Sequence, residues 1–383
     1  MFNRYRDYVP LWTHDTPAKR PRNLWYWAIV ISSVALNTVL LCNLFRASGQ
    51  QVCPQTEPCR DQSCPEPVSD TPLDNYQRLD VQPLVDGDSV NHLLTSENAV
   101  VTTLYTDAYA LAVVTLGHSL NQVNSTARRI VLYLPEQVSP RALCIATSSG
   151  FDALPVARID PPEGVNERFL DQYTKLRLWT LDQHGIKSVV YLDADTLVLG
   201  NFDELFSLPY TFAAVPDIFL DHRGFILSFN AGVLFLRPST SVFEDMLTKV
   251  GTAEYPRHMA EQAFLNLYYA ANAVRLPYVY NANLAIKSKK VIVWEDIWTQ
   301  TRIVHYTLVK PFLDDADWSL AVEIERMDDV VNSKIGNQWG GLFDPELEAW
   351  ARAWRDTRRT YEDAWATCKG LAHSNSTYVI GPI

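Results

Sequence analysis

Two carboxylates one residue apart, Asp193 and Asp195, stand in the stretch Lys187-Ser-Val-Val-Tyr-Leu-Asp-Ala-Asp-Thr-Leu-Val-Leu199. The residues before them, 188–192, form a short β-branched and apolar run, the pattern of a strand buried inside a parallel sheet. At the carboxyl edge of such strands, open α/β sheets bind their ligands. Two carboxylates placed there repel each other and lose hydration unless a cation or the N–H groups of a turn compensate. A hard divalent cation, Mg²⁺ or Mn²⁺, sharing its remaining positions with phosphate oxygens, meets that need. The plainer alternative is that both side chains only cap a turn or the helix that follows.

The segments that must position this pair alternate between strand and helix. Residues 100–105 read as a strand and 108–121 as a helix with a seam of small residues. Residues 130–134 read as a second strand, and 140–149 as a helix that Gly150 can end. Residues 170–183 read as a helix with Gly185 after it, leading into the strand that carries Asp193. Further on, 212–215 and 233–236 are strands and 242–250 and 259–271 helices. Residues 344–367 form an amphipathic helix rich in tryptophan (Trp350, Trp354, Trp365) that should pack on the domain. This order predicts an α/β fold whose central sheet is mainly parallel and covered on both faces.

The chain has 383 residues, 33 basic against 44 acidic, for a formal charge of -11. That balance argues against a nucleic-acid partner, which calls for a basic face. Residues 24–45 contain no charge and are apolar enough to cross a bilayer as a helix about 33 Å long. Arg4, Arg6, Lys19, Arg20 and Arg22 precede this run, and Trp25, Tyr26 and Trp27 mark one interface. Positive charge stays cytosolic, so the expected topology is type II. Residues 1–23 would be a cytosolic tail, 24–45 a signal anchor, 46–97 a stem rich in Pro and Cys, and 98–383 a lumenal domain. Cys53, Cys59 and Cys64 are an odd number in that stem. Either one of them pairs between chains and links a dimer, or two close a local loop and the third pairs elsewhere or stays free. Asn124-Ser-Thr and Asn375-Ser-Thr are glycan acceptors if they lie in the lumen.

Several separated motifs resemble glycosyltransferase family 8, the glycogenin-like retaining enzymes with a GT-A fold, in the order the family uses. The resemblance spans residues 100–312. Residues 101–109 (Val-Thr-Thr-Leu-Tyr-Thr-Asp-Ala-Tyr) match the family's segment for the uracil and ribose of a UDP-sugar, which implies Thr103, Tyr105, Asp107 and Tyr109 at the nucleoside. In Gln-Tyr-Thr-Lys-Leu-Arg-Leu-Trp at 172–179, Lys175 matches a lysine that reaches the donor. Tyr191-Leu-Asp-Ala-Asp-Thr-Leu-Val matches the metal motif. Phe-Asn-Ala-Gly-Val-Leu-Phe at 229–235 implies Asn230 near the sugar, and Glu261-Gln262 stands where the family commonly has Asp-Gln. His305-Tyr-Thr-Leu-Val-Lys-Pro-Phe312 matches the closing motif, with His305 completing the metal set of Asp193 and Asp195, and Lys310 on the diphosphate. His305 as neutral imidazole suits Mn²⁺ better than Mg²⁺.

The resemblance therefore implies a Golgi-type membrane enzyme. It would move a hexose or N-acetylhexosamine, with retention, from a UDP-sugar to a glycan or glycoconjugate. Two departures stand out. The closing motif lacks a glycine after the histidine and ends in Phe312 rather than Trp. Tyr280-Asn281 has no tyrosine downstream, so glycogenin's self-glucosylation is not expected here. Two other readings of the same residues are a non-catalytic lumenal protein that binds sugar nucleotides, and an Asp-x-Asp phosphatase of the haloacid-dehalogenase type with a nucleophilic first Asp. The phosphatase motif wants Thr two places after the second Asp, whereas Thr196 follows Asp195 directly.

Overall fold

A computed structural model describes residues 95–218, 225–270 and 272–371. The expected tail, anchor and stem, the cysteines Cys53, Cys59 and Cys64, and the Asn375 acceptor lie outside the described residues. Among the described residues no helix is long and apolar enough to cross a membrane.

The ten strands of the described residues, in chain order, are β1 (Asn98–Leu104), β2 (Arg128–Tyr133), β3 (Asp152–Pro155), β4 (Ser188–Leu192), β5 (Thr196–Val198), β6 (Phe212–Ile218), β7 (Phe225–Leu236), β8 (Val274–Arg275), β9 (Ala282–Asn283) and β10 (Ile303–His305). The helices are α1 (Ala110–Gln122), α2 (Pro140–Thr147), α3 (Thr240–Val250), α4 (Ala260–Tyr269), α5 (Leu284–Lys289), α6 (Val291–Trp298), α7 (Met327–Lys334) and α8 (Asp344–Cys368). Seven strands form the central sheet in the order β3-β2-β1-β4-β7-β6-β8. β1 lies parallel to both β2 and β4, so the carboxyl ends of β1 and β4 reach the same edge. The α/β expectation with a mainly parallel sheet holds, with one exception. β7 runs antiparallel to both β4 and β6. Only six residues separate Ile218 from Phe225, too few for the crossover of a dozen or more residues that a parallel pairing needs, so the two consecutive strands pair as a hairpin.

One sheet face carries Ala99, Val101, Val189, Tyr191, Leu234 and Leu236 against Tyr173, Leu176, Trp179, Phe243 and Phe264. α1 covers part of the other face and packs against α2 and α8. Gly117 is required at the α1–α2 crossing, because a Cβ there would stand 2.1 Å from Ser149 Oγ. The segment expected as an α-helix at 170–183 instead winds as 3₁₀ turns over Gln172–His184 and stops at Gly185, whose φ is +74°. Three residues per turn place Tyr173, Leu176 and Trp179 in one column and Lys175, Leu178 and Leu181 in another. All six are buried, so the burial pattern fits a period of three rather than 3.6. The expected helix at 344–367 is α8, with Trp350, Trp354 and Trp365 all buried. A disulfide between Cys144 in α2 and Cys368 at the end of α8 was not anticipated from the sequence.

Candidate active site

β4 delivers the carboxylate pair. It ends at Leu192, and the Asp193 N–H is held 2.8 Å from Gly232 O on the neighbouring β7. The chain then turns tightly: Thr196 donates both its N–H (3.1 Å) and its hydroxyl (2.8 Å) to Asp193 O. The turn N–H groups thus serve the backbone carbonyl, and the turn-capping alternative does not account for the two carboxylates. β5 follows and pairs antiparallel with β10, opposing His305 to Thr196. Tyr306 N donates to Asp195 O at 3.0 Å. A small three-stranded sheet, β5-β10-β9, is therefore the device that brings a histidine 110 positions downstream onto the carboxylate pair.

Asp193, Asp195 and His305 each present one ligand atom within 4.8 Å of the others. His305 Nε2 is 3.3 Å from Asp195 Oδ1 and 3.9 Å from Asp193 Oδ2. Its other ring nitrogen, Nδ1, is 3.0 Å from Asn281 Oδ1. Asn281 is oriented in turn, because its Nδ2 donates to Asn230 Oδ1 at 3.0 Å. Nδ1–H is thus the donor to Asn281, and in the neutral ring the Nε2 lone pair faces the two carboxylates. Three lone-pair donors converge, backed by an amide that fixes the imidazole tautomer, and this is the donor set and support a divalent cation takes. Gly232 makes room for the ring, since a Cβ there would lie 2.1 Å from His305 Cε1.

Lys310 forms an ion pair with Asp195 Oδ2. Burial pushes the Asp195 carboxyl up, but Lys310 and His305 outweigh it and hold the group far below the usual carboxylate range. Lys175 sits beneath the pair and is 1% exposed. Its ammonium is 2.6 Å from Glu261 Oε1, 3.1 Å from Asp193 Oδ1 and 5.0 Å from the centre of the Tyr191 ring. Burial lowers its pKa, and Asp193 with Glu261 more than reverse this, so Lys175 is held as a cation. Tyr191 also donates to Asp193 Oδ1 at 2.5 Å, while its hydroxyl lies 3.0 Å from Thr103 Oγ1.

Glu261 and Gln262 open α4 just after Ala260, whose φ of +51° is a conformation that costs a residue with a Cβ about 1–3 kcal/mol. Gln262 accepts from Ala231 N at 2.9 Å and donates to Asp217 Oδ2 at 3.0 Å. Asn230 reaches the site because β7 is antiparallel, so its early residues lie beside the end of β4. Asp217, on β6, also bonds Asn230; burial lifts its carboxyl above the ordinary range despite these contacts.

The residues expected at the nucleoside lie at the neighbouring strand end. Thr103 and Tyr105 are buried, while Asp107 accepts from Ser139 N at 2.8 Å and so ties the loop before α1 to the start of α2. Tyr109 is half-buried, with its ring 5.1 Å from that of Phe312.

The structure thus gathers every expected metal, phosphate and sugar residue into one cluster. Sequence reasoning missed Asp217 and Asn281. Neither has a patterned neighbour of its own, and Asn281 stood beside a tyrosine that drew attention for other reasons.

Comparison with known proteins agrees with this geometry. A sequence model described as "Glycosyl transferase family 8" matches residues 100–316. Inositol phosphorylceramide glucuronosyltransferase 1 of Arabidopsis thaliana is 30% identical over 261 residues, covering 61% of this chain and 45% of that protein. Glycogenin-1 of Mus musculus is 29% identical over 222 residues, 55% of this chain and 64% of that one. Galactinol synthase 2 of Arabidopsis thaliana is 28% identical over 277 residues, 63% and 79%. The chain thus spans less than half of the first of these relatives and under two thirds of the second.

Proposed function

The chain belongs to glycosyl transferase family 8, and from that premise we propose that it is a retaining, Mn²⁺-dependent glycosyltransferase acting on a UDP-sugar. It moves a hexose or N-acetylhexosamine to a glycan or glycoconjugate. The observation that carries the proposal is the convergence of Asp193, Asp195 and the Nε2 lone pair of His305, with Nδ1 committed to Asn281. When bound there, a divalent cation supplies positive charge to diphosphate oxygens as the glycosidic bond breaks.

The chain's own residues do the rest. Lys310, beside Asp195, offers a second positive charge to the same leaving group. Lys175 acts one layer below, fixing Asp193 and Glu261 relative to each other. Asp217, Asn230, Gln262 and Glu261 form the wall toward the sugar, where carboxylate and amide oxygens can take hydroxyl protons. Tyr109 offers a ring face to the base. The test is a screen of UDP-sugars for acceptor-independent UDP release by the detergent-solubilised chain with Mn²⁺. One donor should stand out, and EDTA should stop its turnover. No release from any UDP-sugar would overturn the donor assignment, and release that persists in EDTA would overturn the metal.

We also propose a Golgi location with the catalytic domain in the lumen. The basic segment before the uncharged run 24–45 supports it, and so does the Cys144–Cys368 disulfide, a bond that persists in oxidising compartments. Asn124 is exposed on the turn after α1, open to a glycan. The expected result is a mobility shift with endoglycosidase that Asn124→Gln reduces, together with protease protection in sealed microsomes. A chain that carries no glycan and is digested in intact vesicles would place the domain in the cytosol.

A further inference from the structure

The residues that match the family end at 316, yet α8, which begins at Asp344, is built into the site. Its first turn holds one end of the closing segment: Tyr306, next to His305, donates its hydroxyl to Glu346 O at 2.7 Å. The Glu346 carboxylate is itself held by Lys287 at 2.7 Å and by the Trp294 indole at 3.0 Å. One turn on, Trp350 holds the other end, its ring 6.0 Å from that of Phe312, which follows Lys310 by two residues. Phe312 is fully buried, and the ring it meets on the site side is Tyr109, at 5.1 Å and 65°. Behind Trp350 the rings continue, nearly parallel, through Trp354 at 6.3 Å to Trp365 at 5.9 Å from it. The far end of the row is fastened twice, by Trp365 Nε1 donating to Ser148 Oγ at 2.8 Å and by the Cys144–Cys368 disulfide.

We propose that α8 is a splint for the nucleotide side of the site, with Trp350 as a positioning residue that acts through Phe312 on Tyr109 and Lys310. The physical ground is rigidity: stacked, fully buried rings have little rotamer freedom and pack without voids, so displacing one displaces the next. Lys310 and His305 come from an eight-residue segment whose strand part, β10, ends at His305. Without a support at both ends, that segment would have to be ordered on each binding event, at the cost of affinity.

This inference rests on the UDP-sugar reading only for its binding readout, and a second readout is independent of it. The full chain in detergent is compared with Trp350→Leu and Trp350→Phe by hydrogen exchange and by calorimetric titration of UDP with Mn²⁺. For Trp350→Leu the amides of residues 303–312 should exchange at least about tenfold faster, and UDP should bind about tenfold more weakly. Trp350→Phe should recover most of both. Trp354→Leu, one ring further back, should give a smaller effect of the same kind and serves if Trp350→Leu folds poorly. Met246→Ala, a destabilising change in α3 on the other side of the sheet, should move neither readout. Unchanged protection of 303–312 in the leucine variants would overturn the splint, as would unchanged UDP affinity alongside loosened amides. A wild type that binds no UDP, but whose segment loosens as described, would remove the UDP reading and leave the splint standing.

Discussion

Asp195→Asn should abolish sugar transfer, with turnover down about 10³-fold or more, in a protein that still folds. The substitution keeps the size of the side chain, and the hydrogen bond from Tyr306 N goes to the backbone carbonyl, which is untouched. What disappears is the anion. Asp195 is 6% exposed and is faced by Lys310 and His305, so its charge acts in a site of low dielectric, where one ionic ligand matters most. Removing it also leaves Lys310 near a neutral amide, and a modest fall in melting temperature is expected with the loss of activity. The measurements are UDP release from the preferred donor, a Mn²⁺ titration, and thermal unfolding of both proteins. Near-normal turnover in the variant would refute the ligand role of this residue.

Lys310→Ala should act on the leaving group. The lysine lies at the carboxylate that would face the diphosphate, so its charge is most needed once the glycosidic bond has begun to break. Turnover should fall by about 10²-fold, the scale of losing one electrostatic stabiliser, with a smaller change in affinity for the UDP-sugar. His305→Ala differs in kind. The ring is buried between Gly232 and the carboxylates, so its removal opens a cavity and lowers the melting temperature. It should also raise the Mn²⁺ concentration needed for half-maximal activity, which a packing role alone would not do. Comparing kcat, Mn²⁺ dependence and unfolding for the two variants separates the roles. A Lys310→Ala enzyme with normal turnover would exclude the lysine from leaving-group stabilisation.

Much of this site was legible along the chain because its parts are local patterns. A buried strand followed by Asp-x-Asp needs only a short run, here Ser188 and four apolar residues, and two carboxylates, and β4 with its terminal turn appears where the run 188–192 put it. The closing His305 and Lys310, Asn230 just ahead of the apolar run 233–236, and Glu261-Gln262 in the first turn of a helix were marked by neighbours a few residues away. Fold class was legible for the same reason: strands and helices announce themselves by periods of two and 3.6, and their alternation implies a parallel sheet.

Tertiary structure decided the relations that no local period encodes. β7 turned against β4, and that reversal carries Asn230 to the metal edge. The register of β10 on β5 set His305 opposite Thr196 and so beside Asp195. Lys175 is enclosed between Asp193 and Glu261, because the 3₁₀ winding turns its column of side chains inward. Asp217 and Asn281 are single polar residues whose meaning lies wholly in their partners, 45 and 24 positions away. Cys144 and Cys368 meet across 224 positions. By itself the sequence determined which groups could do the chemistry and which short segments hold them. Strand order, register and the packing of α8 decided which of those groups meet, since contacts between distant residues follow from how whole elements bury their apolar faces.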